Sequence, residues 1–84
     1  MPLKVNMKTT KYFLATQQRP DRALIKREWI EYVITKPEHS FIQQDGRIRL
    51  WSKIDAMEGR YLRVVLLEDG ETIHNAFFDR RFKP

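Results

Sequence analysis

Two Asp-Gly pairs, Asp45-Gly46 and Asp69-Gly70, each interrupt an alternating polar–apolar run, and they commit the carboxy-terminal half of this chain to two β-hairpins. Asp-Gly is favoured where the backbone must reverse tightly with positive φ, and the flanking alternation is the signature of half-buried strands. A two-residue turn at Asp45-Gly46 sets Gln44 opposite Arg47, Ile42 opposite Arg49 and Phe41 opposite Leu50. That register places Phe41, Ile48 and Leu50 on the core face, with Ser40, Ile42, Arg49 and Trp51 on the other. A turn at Asp69-Gly70 likewise groups Leu62, Val64, Leu66, Ile73 and Phe77. It leaves Tyr61, Arg63, Val65, His74, Ala76 and Phe78 on the reverse side. Glu68 directly across from Glu71 is repulsive, which favours a longer second turn. A slip of one residue turns every side chain of a strand over.

Upstream, Ile25 to Lys36 carries a helical stripe of Ile25, Trp29, Ile30, Val33 and Ile34. Lys26, Arg27, Glu31 and Lys36 fall on its other side, with Arg27 and Glu31 spaced to pair. Pro37 ends it. Thr9 to Gln18 reads as a short helix capped by Thr9, with an edge strand over Tyr12–Leu14 as the alternative. Arg19-Pro20-Asp21 breaks it. The expected architecture is α+β: one or two amino-terminal helices packed on a four-stranded antiparallel β-meander. A single domain spans residues 8–84, and residues 1–7 form a disordered leader.

At 84 residues the chain is near the lower limit for a self-sufficient core, and without cysteine no disulfide or thiolate site adds to it. Two histidines far apart in sequence do not make a zinc site, and no cofactor motif is present. The acids Glu68, Asp69 and Glu71 are explained by their turn. Gly46, Gly59 and Gly70 fall in turns or loops, so no glycine-rich phosphate loop exists. Ser40 and Ser52 lack the setting of a nucleophile. No run of residues is long and apolar enough to span a bilayer, and the amino terminus lacks a secretory core, which points to a cytoplasmic protein with no membrane partner.

The net charge of +5 arises in residues 1–37, with eight Lys or Arg against three acids; residues 38–84 hold eight of each. A basic balance favours polyanionic or acidic partners. In the second half the cations are interleaved with aromatics: Arg47, Arg49, Trp51 and Lys53 alternate with Ile48, Leu50 and Ser52. Guanidinium groups chelate phosphate oxygens and indole rings stack bases, so this face, with Arg81 from the tail, is the candidate RNA-binding surface. His74 titrates near neutrality and is the candidate proton-transfer group. His39 reads as a strand-end residue.

Several strings resemble a widespread family of small uncharacterised bacterial proteins. These are Arg27-Glu28-Trp29, Asp45-Gly46-Arg47-Ile48-Arg49 with Trp51, Tyr61-Leu62-Arg63-Val64-Val65, and the run from Glu68 through Phe77 continued by Asp79-Arg80-Arg81-Phe82. More distantly, size, charge and element order are similar to RelE-like and BrnT-like toxins of type II toxin–antitoxin pairs. That likeness implies a metal-independent endoribonuclease silenced by an acidic antitoxin. It also implies attack of an RNA 2′-hydroxyl on the adjacent phosphate, His74 moving a proton and Arg63 and Arg80 stabilising the developing charge. Tyr61 is then the candidate second acid–base group. The sequence leaves two alternatives open: a non-catalytic module that binds nucleic acid or an acidic protein, and a structural homodimer joined through Trp51, Phe78 and the tail.

Overall fold

A computed structural model describes residues 7–84; the expected leader over residues 1–6 lies outside them. Met7, the last residue of that expected leader, packs against the core. The protein is α+β, as its sequence pattern requires. Three helices, α1 (Lys11–Thr16), α2 (Pro20–Ala23) and α3 (Arg27–Thr35), precede four strands. These are β1 (His39–Ile42), β2 (Ile48–Ile54), β3 (Arg60–Leu66) and β4 (Ile73–Phe78), in one antiparallel sheet ordered β1-β2-β3-β4.

The cap of α1 is Thr10 rather than Thr9: its hydroxyl accepts a hydrogen bond from Phe13 N at 3.0 Å. Thr9 instead forms a parallel bridge with Ile73, so the chain enters the helix from a short run lying along β4. Pro20, expected only to break structure, opens a helix of one turn, where its missing N–H costs nothing and its fixed φ suits the first position. In α3, Arg27 and Glu31 pair at 3.3 Å on the exposed side. The helix stops at Lys36, before Pro37.

α3 lies across β2 and β3, and α1 lies against β4. Ile30 and Val33 of α3 and Phe13 of α1 pack on Leu50, Ile54, Leu62, Val64, Leu66, Ile73 and Ala76 of the sheet. Ser52 is fully buried in this layer, yet it is satisfied. Its hydroxyl donates to Lys36 O at 2.8 Å and accepts from Glu38 N at 3.2 Å, tying the end of α3 and the start of β1 to the middle of β2.

Both hairpins depart from the expected register, for identifiable reasons. At the first, Gly46 N donates to Gln43 O and Gln43 N donates to Arg47 O. The loop therefore has three residues, with Gly46 in the left-handed region at φ 91°. The Asp45 carboxylate accepts from Arg47 N at 3.0 Å and stabilises that wider turn. Partners become Ser40 with Leu50, Phe41 with Arg49 and Ile42 with Ile48. The assignments of β2 stand, but those of β1 reverse: Ser40 and Ile42 share the helix-covered face, and Phe41 joins Arg49 and Trp51.

At the second hairpin, Leu67 N donates to Thr72 O, and Asp69 gathers Glu71 N, Thr72 N and the Thr72 hydroxyl around its carboxylate. Leu66 pairs with Ile73 as expected. Then a β-bulge intervenes, so that Val65 pairs with Asn75, Val64 with Ala76, Arg63 with Phe77 and Leu62 with Phe78. His74 is the extra residue. Beyond it the expected faces reverse: Ala76 and Phe78 turn to the core side, and Phe77 joins Arg63.

Candidate functional site

The sheet face turned away from the helices is built by the alternation of β1, β2 and β3: His39 and Phe41, then Arg49, Trp51 and Lys53, then Tyr61 and Arg63. In an open meander this face meets water. Here the chain after β4 folds back across it. Asp79 N donates to Tyr61 O at 2.9 Å, which turns the tail over the sheet. The Asp79 carboxylate accepts from Trp51 Nε1 at 3.0 Å and lies 3.3 Å from the Arg63 guanidinium.

Burial by itself raises the Asp79 pKa. The hydrogen bonds from Trp51, Arg63 and the Arg81 amide outweigh it and hold the carboxyl below the ordinary carboxylate value. Phe82 then stacks on Trp51, ring centres 4.4 Å apart and planes 13° from parallel. The rings of His39 and Tyr61 stand edge-on to Phe82 at 5.2 and 5.0 Å. Trp51 is only 6% exposed as a result. The tail, from which the sequence offers Arg80 and Arg81, thus brings Asp79 and Phe82 to the site as well.

Beside this latch runs an open groove of about 570 Å³, with Arg49, Arg63 and Arg81 among its walls and Phe41, Trp51 and Phe82 as its aromatic surface. Arg49 is braced by Gln43 Oε1 at 2.7 Å and lies over the Phe41 ring at 5.4 Å. Arg63 is wedged between the Trp51 and Phe77 rings, at 5.7 and 5.0 Å. Its buried Nε has no hydrogen-bond partner among the described residues. Arg22 reaches from α2 to the Phe77 ring at 5.2 Å and donates to Asn75 Oδ1 at 2.9 Å, which fixes the β4 edge of this layer.

The remaining candidates are distributed differently. Arg47 pairs with Asp45 at 3.7 Å beside the first turn, and Lys53 lies 5.9 Å over Tyr61 at the far end of β2. His74 is held by α1: Nδ1 lies 3.1 Å from the Thr10 hydroxyl and the ring stacks on Tyr12 at 4.8 Å. Burial, then the positive charge of Arg47, lowers its pKa and favours the neutral ring.

Tyr61 pairs with Lys53 at one end of β3, while Leu66 meets Ile73, next to His74, at the other. At ~3.3 Å per residue those ends are roughly 16 Å apart. Arg80 lines a separate hollow with Arg60 and Tyr61. The four residues of the expected catalytic set are thus not gathered in one place; Arg63 alone among them lines the groove. His39, expected as a strand-end residue, is the first residue of β1 and does line it. The signal for His39 was the parity of β1, which the misjudged turn length inverted.

Among the described residues no cluster of His, Asp and Glu is arranged to hold a metal ion, and no helix is long and apolar enough to cross a membrane. No family model, curated protein or solved structure matches the chain.

Proposed function

We propose that this protein binds single-stranded RNA along the groove beside Trp51, as a binding module without cleavage. The observation that carries the reading is the convergence of Arg49, Arg63 and Arg81 on one aromatic-walled groove. Arginine forks suit phosphate oxygens, and exposed ring faces such as Phe41 suit unstacked bases. A duplex hides the base faces that such a surface would stack, so a single strand is the better fit. The separation of His74 from Tyr61 and Arg80 is why binding ranks ahead of toxin-like cleavage.

Fluorescence anisotropy with a labelled single-stranded oligoribonucleotide, titrated across salt concentrations, tests this. Binding should weaken with salt, and Arg81→Ala should reduce the logarithmic slope by about 0.7, the value for one phosphate contact on a single strand. Absence of binding at low salt, or an unchanged slope in both Arg49→Ala and Arg81→Ala, refutes the reading. Cleavage is the second reading, favoured by the place of His39 in the groove wall. New RNA ends abolished by His39→Ala would establish it, whereas ends abolished by His74→Ala would restore the toxin-like set of His74, Arg63, Arg80 and Tyr61. An acidic antitoxin-like protein that displaces the RNA would mark the regulated form of the same surface.

A further inference from the structure

The tail offers the groove two groups in a fixed relation: a carboxylate on Arg63 and Trp51 Nε1, and three residues later a flat ring stacked on the indole. A nucleotide offers the same two groups, an anionic phosphate and a flat base. We propose that the side chains of Asp79 and Phe82 occupy a nucleotide site, Asp79 standing where a phosphate binds and Phe82 where its base stacks, and that single-stranded RNA displaces these two groups while Arg81 stays at the groove wall. This rests on the RNA-binding reading and adds to it the place of one nucleotide and the segment that competes for it.

Three observations support displacement over a permanent cap. The first is the box around Phe82, which has a parallel floor in Trp51 and edge-on walls in His39 and Tyr61. Stacking of that kind accepts any π-face, because it recognises a plane and not a hydrogen-bonding pattern.

The second is the unmet donor. Arg63 Nε is buried with no partner among the described residues while its Nη1 is spent on a single oxygen of Asp79. A buried donor left unpaired is costly, and both Asp79 oxygens are already engaged, Oδ2 by Trp51 and Arg63 and Oδ1 by Arg81 N, whereas a phosphodiester entering in its place brings two non-bridging oxygens free to take two guanidinium hydrogens.

The third is how lightly Phe82 is tethered. Its amide makes one backbone hydrogen bond, 3.4 Å to Asp79 O inside its own turn, and the ring contacts supply the rest. The ring can leave without breaking any strand pairing, since β4 ends at Phe78.

Competition has a defined thermodynamic signature. When a site is open for only a fraction of the time, the apparent dissociation constant rises by the inverse of that fraction. Phe82→Ala frees the base half of the site and leaves Asp79 in the phosphate half, so it should tighten binding of a single-stranded oligoribonucleotide by about threefold to tenfold relative to wild type, for a Phe82 ring that is off the indole between a third and a tenth of the time. Circular dichroism on both proteins controls for folding.

A Phe82→Ala protein that is folded and binds equally or more weakly overturns the inference and leaves the RNA-binding reading standing. Failure of wild type and variant alike to bind at low salt overturns both. Should the variant not fold, the wild type alone decides the question. Proton NMR contacts between the Phe82 and Trp51 rings should vanish at RNA saturation, and their persistence in the saturated complex overturns displacement.

Discussion

Replacing Asp79 with Asn isolates the electrostatic part of the tail latch, because the side chain keeps its shape and loses its charge. Oδ2 accepts from both Trp51 Nε1 and Arg63 Nη1, so an Asn oxygen placed there keeps both donors but loses the charge they meet, and its amide nitrogen replaces the Oδ1 that accepts from Arg81 N. Asp79 and Arg63 are both shielded, with side chains 11% and 21% exposed, so the usual discount for screened surface pairs does not apply in full. A hydrogen bond to a charged group contributes about 1.5–3 kcal/mol, which gives a loss of about 2 kcal/mol at pH 7. For a domain of this size that corresponds to a fall in Tm of roughly 8–16 °C.

The pH dependence fixes the cause. The Asp79 pKa is held below its ordinary value of 3.8 in the folded protein, so its stabilisation is complete above that value and disappears as pH falls through the folded pKa. Asp45 and Asp69 also have lowered pKa values, Asp69 to about 2, but they act equally in both proteins. Urea denaturation of wild type and Asp79→Asn at pH 7, 5 and 3 should show a constant gap at the first two and a smaller one at the third. A gap below about 0.5 kcal/mol at pH 7, or one undiminished at pH 3, refutes the assignment of the latch to charge.

Two further changes probe the scaffold beneath the groove. Ser52→Ala removes the hydroxyl that accepts from Glu38 N and donates to Lys36 O. Glu38 N keeps its bond to Trp51 O, so the cost centres on the Lys36 carbonyl and should be about 1–2 kcal/mol by urea denaturation with an unchanged m-value. His74, whose folded pKa lies below the ordinary 6.5, binds its proton more readily when unfolded. Wild-type stability should therefore be full above that value and decline as pH falls from 7 towards 5, and His74→Gln should flatten that decline in parallel urea titrations.

How far the sequence reached depends on how local each determinant is. The stripe of α3 and the faces of β2 were legible because each is set by periodicity within one element. β1 was not, because its parity depends on whether the Asp-Gly loop holds two residues or three. That choice turns on where the Asp45 carboxylate finds its N–H donor. The bulge at His74 reversed the end of β4 for a related reason: its ring is drawn to Thr10 and Tyr12, 64 and 62 residues earlier, a pull that no local pattern records. The charged face was legible as a set of residue types. Its latch was not, since an Asp and a Phe in a basic tail acquire meaning only where the chain turns back on Trp51 and Arg63. His39 was missed through the same error of parity that misplaced Phe41.

The seam where the chain leading into α1 meets β4 bears on how the molecule assembles. Among the described residues every other strand pairing joins neighbours in the sequence, so the meander can zip outward from its three hairpins. The seam, with Thr10 N donating to Ile73 O and Ile73 N to Lys8 O, must close a loop of some sixty residues. By the logarithmic dependence of closure entropy on loop length, that costs about 2 kcal/mol more than closing a five-residue hairpin loop. That entropy predicts docking of α1 as the last event of folding and the first to reverse. Amide exchange at Thr10 and Ile73 then reports the opening of this seam, ahead of the paired centres of β2 and β3.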